Sequence, residues 1–338
     1  MNEPIDAVIT WVDGSDPVHR RKLEAYLDSL DRPRPPAADP TRFNDAGELA
    51  YCLASIIRFA PWFRHLYIVT DGQRPSVLEA FRGTPWEGRI RLVDHRGIFA
   101  GHEQHLPNFN SYAIISVLWR IEGLSERFVY FNDDFSLIAN VAPEDFFDGD
   151  KMVVRGRWQA QAAHRPLKRL ANALRSLAGR PRAGAPGARV GHQAAQEESA
   201  RMAGYQRQFV RLFHTPYPMR RSTLQEYFAS RPEELERNLE HRLRSPRNFN
   251  TECLAAHLEF ARGRARLDNR LRLVHLKPDE QMPLRLRSKL RRADRDASFA
   301  FACVQSLDKA DPAVGASVTG WLDARIGTLA DALGRSSG

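Results

Sequence analysis

The sequence has no long hydrophobic run and only three cysteines, and each shortage removes a class of protein. No stretch approaches the roughly 18 consecutive apolar residues that a membrane-spanning helix needs. The N-terminus has no basic segment followed by an apolar one, so we expect no signal peptide and a cytoplasmic protein. Cys52, Cys253 and Cys303 lie far apart, without the spacing of a disulfide framework or a zinc site. We predict that all three are buried free thiols.

No recognised nucleic-acid-binding motif is present, although the chain is basic, with a formal net charge of +9. The charge is divided unevenly along the sequence. Residues 1–150 contain 15 Lys and Arg against 23 Asp and Glu, whereas the rest contains 35 basic against 18 acidic residues. This asymmetry favours a basic part that faces an anionic ligand, and an acidic part that approaches phosphates only through a metal ion. We expect no nucleic acid as a partner.

Strand and helix patterns alternate through the first 150 residues. Short runs rich in β-branched and aromatic residues predict strands over 5–12, 65–70, 89–93 and 128–131. Helical patterns begin near Pro17, extend over 44–61 and begin again at Asn110 or Ser111. Asp45 and Glu48 have the spacing of a capping box for the second helix. This order, with short connections, predicts an α/β fold with a mostly parallel central sheet flanked by helices.

Acidic residues recur where the predicted strands end. The last strand runs into Asn132-Asp133-Asp134, and two earlier strands end in Asp71 and Asp94. Ligands of open α/β sheets bind outside the carboxyl ends of the strands. Adjacent carboxylates repel each other unless a cation or a shared proton relieves them, and Mg²⁺ would also attract substrate phosphates. The alternative is a solvated acidic turn after a core strand.

A turn rich in small and acidic residues, Asp13-Gly-Ser-Asp-Pro17, follows the first predicted strand. A turn between a strand and a helix brings backbone N–H groups towards a phosphate, so this segment is a candidate nucleotide site. Many ordinary turns contain Asp-Gly, and that alternative stays open.

From about Lys151 the composition changes, and residues 160–204 are rich in Ala, Arg and Gly. We divide the chain into an acidic α/β core (1–150), a basic helical insertion (151–205) and a basic C-terminal part that completes the domain (206–338). Residues 165–177 predict a basic amphipathic helix. Such a helix either lies on an anionic membrane surface or caps the fold.

Two clusters in the C-terminal part are candidates for chemistry. His214 stands between apolar residues and prolines, shortly before the pair Arg220-Arg221. Arg244 belongs to a second basic cluster, and the guanidinium fork of arginine matches the oxygens of a phosphate. The alternatives are a structural histidine and a solvated helix start.

Four blocks in this order resemble the Stealth family of sugar-phosphate transferases. The family includes bacterial capsule and exopolysaccharide phosphotransferases and the α/β subunits of lysosomal-enzyme N-acetylglucosamine-1-phosphotransferase. The blocks are Ile5-Asp-Ala-Val-Ile-Thr-Trp-Val-Asp-Gly-Ser-Asp-Pro17; the segment from Arg42 to Phe147, which includes Gly47-Glu-Leu and Phe131-Asn-Asp-Asp134; His214-Thr-Pro with His241-Arg-Leu-Arg-Ser245; and Phe301-Ala-Cys-Val-Gln305. The chain departs from the family pattern at Ala50, Ala54 and Ile115.

The resemblance implies a Rossmann-like or GT-A-like core that moves a sugar 1-phosphate from a nucleotide-diphosphate sugar, expected to be a UDP-sugar, to a glycan hydroxyl. By position it places the catalytic residues at Asp133, Asp134, His214 and Arg244. Residues expected to hold the donor are Trp11, Asp13, Gly14, Ser15, Asp16, Arg42, Asp71 and Arg221. We expect Mg²⁺ or Mn²⁺ as the cofactor, with Asp134 and Asp13 as ligands, and either His214 or Asp133 as the base.

Two other functions fit the same residues. A metal-dependent glycosyltransferase would use acidic residues at strand ends but attack the anomeric carbon. Its released nucleotide would be a diphosphate, whereas transfer of a sugar phosphate releases a monophosphate. A non-catalytic protein that grips anionic glycan through its basic half is the third possibility.

Overall fold

The computed structural model describes residues 3–30, 33–165 and 191–335. The helices are α1 (Pro17–Asp28), α2 (Glu48–Phe59), α3 (His95–Ile98), α4 (Ser111–Ser116), α5 (His192–Met202), α6 (Arg221–Ser230), α7 (Pro232–Leu239), α8 (Thr251–Ala261), α9 (Pro283–Arg295), α10 (Pro312–Ile326) and α11 (Leu329–Arg335). The strands are β1 (Ile5–Thr10), β2 (Leu66–Thr70), β3 (Ile90–Asp94), β4 (Arg127–Asn132), β5 (Phe135–Leu137), β6 (Phe147–Asp148), β7 (Lys151–Val154), β8 (Gly156–Ala160), β9 (Gln208–Leu212), β10 (Tyr217–Arg220), β11 (Ala265–Leu267), β12 (Arg272–Leu276) and β13 (Phe299–Val304). Of the predicted helix at 165–177, all but its first residue lies outside the described ranges.

The central sheet has the strand order β10-β4-β1-β2-β3. Strands β1 to β4 are mutually parallel, and β10 pairs with β4 in the antiparallel direction. Ile9 of β1 lies between Ile68 of β2 and Phe131 of β4. All four residues from Phe128 to Phe131 are fully buried, as expected for a strand covered on both faces. The predicted α/β fold with a mostly parallel sheet is therefore confirmed.

A buried carboxylate aligns the starting ends of three parallel strands. Asp6 on β1 accepts hydrogen bonds from the Arg64 side chain (2.9 and 2.6 Å) and from the backbone N–H groups of His65 and Ser125 (3.1 and 2.7 Å). His65 precedes β2 and Ser125 precedes β4, so one side chain satisfies donors of both neighbours. Strands that start together also end together, which brings their carboxyl ends to one edge.

A smaller sheet stands beside the first and completes that edge. It has the order β12-β13-β5, and β5 follows β4 after the turn at Asp133 and Asp134. The backbone N–H of Val304 at the end of β13 donates to the carbonyl of Asp134 (3.0 Å). The turn between β4 and β5 is therefore held by the end of a strand that lies about 170 residues later in the chain.

The second predicted helix is present as α2, but its predicted cap is wrong. The residue before α2 is Gly47, whose φ of 98° suits glycine, and it has no capping side chain. Asp45 instead accepts from the N–H of Gly47 (2.8 Å), and Glu48 accepts from the N–H of Ala46. The two carboxylates thus organise the loop in front of the helix. Ala54 and Ile115, where the chain departs from the family pattern, are buried in the core.

One hydrophobic core contains residues of all three predicted segments, from Ile5 to Leu333, including Met152 and Val154. The boundaries at 150 and 205 stay predictions. All three cysteines are buried and free, as expected. No helix within the described parts of the chain has the length and apolar character to span a bilayer.

Candidate active site

A cavity of about 410 Å³ opens at the carboxyl edge of β1, β2 and β4. Five of the residues predicted from the sequence line it, namely Trp11, Asp71, Asp133, Asp134 and Arg244. They come from three strand ends and from the loop between α7 and α8. The cavity is of the size that holds a small ligand, and acidic and basic side chains meet on its wall.

The two aspartates of the turn form the acidic floor. Burial raises the pKa of Asp133 well above its usual range, and the negative charges of Asp134 and Glu48 raise it further. Burial also raises the pKa of Asp134 to about 6, against hydrogen bonds from Cys303 and Gln305. The Oδ1 atom of Asp134 is buried and has no hydrogen-bond partner among the described residues. The floor therefore lacks positive charge of its own.

A third carboxylate, Glu48, was predicted only as a helix cap. It lines the same cavity at the start of α2. Burial raises its pKa to about 7, and the neighbouring Asp45 raises it as well. Glu48 belongs to the Gly47-Glu-Leu segment of the second block, which could have identified it as a site residue. The capping-box spacing led us to interpret it as a helix cap only.

Arg244 supplies positive charge at the wall. Its Nη2 donates to Oγ of Ser111 (2.7 Å), and its guanidinium lies 5.0 Å from the ring centre of Tyr112. Its positive charge also lowers the pKa of Asp134, although burial outweighs that effect. Arg244 and the acidic turn thus face one space, although 110 residues separate them in the sequence.

Buried asparagines hold the loop that carries Arg244. Asn110 donates to the carbonyl of His241 (2.8 Å) and to Oδ1 of Asn248 (3.0 Å), and Asn248 donates to Oδ1 of Asn238 (2.9 Å). Each of these three asparagines is at most 1% exposed. Buried amide networks are costly to leave unsatisfied, so this one fixes the loop in a single arrangement.

Trp11 and Asp71 stabilise the walls. The indole Nε1 of Trp11 donates to Oδ2 of Asp45 (2.6 Å), which ties β1 to the loop before α2. Asp71 accepts from Nζ of Lys22 (2.9 Å) and lies 3.6 Å from the His19 ring. The neighbouring His19 and Lys22 outweigh burial and lower the pKa of Asp71 to about 2. Asp71 is therefore ionised and paired with a cation.

The turn after β1 has an architectural function that the nucleotide-site prediction did not foresee. Oδ1 of Asp13 accepts from the N–H of Ser15 (2.8 Å), and Asp16 caps α1 by accepting from the second and third residues of the helix. A Cβ on Gly14 would lie 2.7 Å from Cβ of Phe43, so only glycine fits there. None of residues 13–16 lines the cavity. The structure therefore gives no support to Asp13 as a metal ligand.

His214 lies behind the cavity wall. Its ring lies between those of His192, on which it stacks, and His275, to which it is tilted, at centroid distances of 5.0 and 4.9 Å. Burial, together with the neighbouring histidines, lowers the pKa of His214 to about 3. The pKa is low because the ring is shielded from water and surrounded by basic groups.

Gln305, which the sequence did not single out, connects this histidine cluster to the floor. Nε2 of His275 and Oε1 of Gln305 are 2.9 Å apart, and Gln305 lies close enough to Asp134 to lower its pKa. Since the amide oxygen of Gln305 accepts, Nε2 of His275 is the donor of this bond. His214 thus reaches the floor through His275 and Gln305.

Arg221 lies away from the cavity. It follows β10, and β10 is antiparallel to β4, with Arg220 opposite Arg127 at the starting end of β4. Its backbone N–H donates to the carbonyl of Glu126 at the same end. Arg221, expected to help hold the donor, therefore lies apart from Arg244, since the whole length of β4 lies between them. The side chain of Arg42 lies outside what the structure describes.

A divalent cation fits the chemistry of the floor. Within the described ranges no three His, Cys, Asp or Glu side chains converge as a ready-made metal site. Mg²⁺, however, is commonly held by one or two carboxylates together with substrate phosphates and water. The unpartnered oxygen of Asp134 and the raised pKa of Asp133 are what two carboxylates without their cation would show.

The sequence matches known proteins in the same two regions that build this edge. Residues 3–31 match conserved region 1 of the Stealth proteins (CR1), and residues 42–155 match conserved region 2 (CR2). An exopolysaccharide phosphotransferase of Streptomyces coelicolor is 37% identical over 243 residues, or 72% of this chain and 37% of that protein. A capsular polysaccharide phosphotransferase of Actinobacillus pleuropneumoniae is 39% identical over 147 residues, or 43% of this chain and 39% of that protein.

These matches span about two fifths of the relatives' own length. Among solved structures, the galactosyltransferase LgtC in complex with donor and acceptor sugar analogues covers 94% of this chain and 96% of its own, at 10% identity and a TM-score of 0.41. Such a score marks a remote likeness. The resemblance to the Stealth proteins depends instead on the two conserved regions, which carry the acidic turn and the strand before it. The chain therefore carries conserved regions 1 and 2 of the Stealth proteins.

Proposed function

We propose that the cavity transfers a sugar 1-phosphate from a nucleotide-diphosphate sugar to a hydroxyl of a glycan acceptor, in capsular or exopolysaccharide synthesis in the cytoplasm. The observation that carries this proposal is the meeting of Asp133, Asp134 and Arg244 on one cavity wall. The negative oxygens of a pyrophosphate need a positively charged group beside them, and the guanidinium of Arg244 is such a group. The relatives named as polysaccharide phosphotransferases support the same reaction class.

In this reaction the acceptor oxygen attacks the phosphorus that bears the sugar. The bond from that phosphorus to the bridging oxygen breaks, the nucleoside monophosphate leaves, and a phosphodiester forms. Arg244 would bind the non-bridging oxygens, which gain charge as the bonds exchange. A Mg²⁺ or Mn²⁺ ion held by Asp133 and Asp134 would neutralise the diphosphate.

The acceptor hydroxyl must lose a proton, and Glu48 is the group best suited to take it. It lines the cavity, and its pKa of about 7 is near the operating pH of a general base. His214 lies behind the wall with a pKa of about 3, so it binds a proton poorly at neutral pH. We assign His214 a positioning role through His275 and Gln305.

The rate should therefore depend on the ionisation of Glu48. Activity is expected to rise with pH to a plateau, with a midpoint near the Glu48 pKa of about 7. Because the charge of Asp45 raises that pKa, Asp45→Asn should move the midpoint to lower pH. The measurement is the pH profile of kcat/KM for both proteins. As a control, Asp28→Asn at the exposed end of α1 should leave the midpoint in place. An unmoved or raised midpoint in Asp45→Asn would rule out Glu48 as the base.

The reaction itself is tested by incubating the protein with UDP-sugars and other nucleotide sugars, Mg²⁺ or Mn²⁺, and glycan acceptors. We expect a nucleoside monophosphate and a phosphodiester-linked product, identified by mass spectrometry and ³¹P NMR. Release of a nucleoside diphosphate would instead establish glycosyl transfer. If calorimetry detected glycan binding but no nucleotide sugar bound, the chain would be a glycan-binding protein.

A further inference from the structure

Helix α9 (Pro283–Arg295) presents a strongly basic surface outside the cavity. Leu286, Leu290 and Ala293 are its buried side chains, so one stripe of the helix packs on the core. The helix contains six Lys and Arg against one Asp. At the helical repeat of 3.6 residues, Leu284, Arg291 and Arg295 fall on the face opposite the buried stripe. That face is open to solvent.

Most of this positive charge has no counter-charge in the protein. No ion pair joins Arg285, Arg287, Arg291 or Arg295 to any residue of 3–30, 33–165 or 191–335, and all four are exposed. The one acidic residue of the helix, Asp294, accepts from the indole of Trp321 (2.8 Å). Elsewhere on the surface arginines are commonly paired, as Arg247 is with Glu240 at 3.3 Å. The unpaired set therefore has charge available for a partner.

Two apolar side chains stand beside this charge. Met282 is 72% exposed and Leu284 is 74% exposed, more than any other large hydrophobic residue in the described ranges. They are two positions apart, at the start of α9, where the chain leaves the loop that follows β12. Single exposed apolar residues are ordinary, but two adjacent ones bordered by unpaired arginines form the composition of a lipid-contacting edge.

We propose that Met282, Leu284 and the cationic face of α9 dock the protein on an anionic lipid surface. The two apolar side chains would enter the boundary between headgroups and acyl chains, and Arg287, Arg291 and Arg295 would face lipid phosphates. A soluble anionic polymer would also satisfy the arginines. It offers nothing apolar for Met282 and Leu284, and this decides in favour of a bilayer.

Helix α9 directly follows residues of the cavity, so docking through this helix orients the cavity. Asp279 and Glu280 line the cavity and precede Met282 by three and two residues. Docking through α9 therefore turns this side of the cavity towards the bilayer. If the proposed transfer reaction is correct, the acceptor that meets the cavity in this orientation is a glycan carried on a membrane lipid. The docking itself does not depend on that reaction.

The test is co-flotation of the full chain with phosphatidylcholine vesicles, with and without about one third phosphatidylglycerol. We expect binding only to the anionic vesicles. Two variants, Met282→Ser/Leu284→Ser and Arg287→Gln/Arg291→Gln/Arg295→Gln, should each weaken it by about tenfold or more. All substituted side chains are exposed, so circular dichroism should show an unchanged fold.

A matched control is available on α1, where Val18 is 51% exposed and Arg20 and Arg21 are exposed. The variant Val18→Ser/Arg20→Gln/Arg21→Gln makes the same types of substitution, at one apolar and two arginine positions, and should bind anionic vesicles like the unaltered chain. Equal loss in this control would show that net charge alone is responsible and would overturn the proposal. Unimpaired binding by either α9 variant would also overturn it.

A further experiment uses soluble polyphosphate as the probe. If the Met282→Ser/Leu284→Ser variant kept vesicle and polyphosphate binding while the arginine variant lost both, the partner would be an anionic polymer.

Discussion

Asp134→Asn should reduce turnover by about 10³-fold, the scale of losing one preorganised electrostatic contact to the reacting phosphate. Asp134 lies on the cavity floor with an unpartnered oxygen, which is the atom available to a cation. The amide has nearly the same shape but no charge. The measurement is the initial rate of nucleoside monophosphate release at saturating Mg²⁺. Near-normal turnover would remove Asp134 from the mechanism.

A folding defect would not explain such a loss. Burial raises the pKa of Asp134 from 3.8 to about 6, so the cost of holding it ionised is absent at low pH and fully present above about 6. The amide never incurs this cost. Without divalent ions at pH 8, the variant should therefore melt at the same temperature as the unaltered chain or higher. Added Mg²⁺ should raise the melting temperature of the unaltered chain but not of Asp134→Asn. Asp28→Asn, at an exposed position, is the matched control.

Arg244→Ala should cost about 10³-fold in kcat, because an arginine that stabilises a transferring phosphoryl group contributes on that scale. Arg244→Lys keeps the charge but not the planar fork, so we expect it to recover only part of the loss. The side chain is positioned by Ser111 and by the ring of Tyr112, and a shorter ammonium group cannot reproduce both contacts. The measurement is kcat and KM for donor and acceptor separately.

Arg247 provides the control for this series. It lies in the same loop, is 67% exposed and pairs with Glu240 rather than with the cavity. Arg247→Ala and Arg247→Lys should therefore leave kcat within about twofold, as is usual for exposed ion pairs of small energetic value. If both positions gave equal losses, the loop as a whole rather than the Arg244 guanidinium would be responsible.

The local pattern predicted correctly the parts that depend on neighbouring residues. The four buried residues from Phe128 to Phe131 indicated a strand covered on both faces, and the recurrence of acidic residues after strands indicated one functional edge. Periodicity and strand propensity are local properties, so they can be read without the fold.

The same local reasoning failed where a side chain had two possible roles. Asp13 and Asp16 were candidates for ligand binding, but they satisfy backbone N–H groups of their own turn and helix start. Glu48 was interpreted as a cap, yet it faces the cavity beside Asp133. A short acidic side chain can accept from a nearby N–H or bind a distant ligand, and only its surroundings decide between them.

The amino-acid sequence by itself determined which strands end in polar residues, the α/β character of the fold and the resemblance to the Stealth proteins. Tertiary structure alone decided that Arg244 reaches the acidic floor and that Arg221 lies at the far end of β4. It also decided that His214 lies half-buried between two histidines, with a pKa of about 3. The physical reason is that charge and burial act through space, between residues that the chain keeps a hundred positions apart.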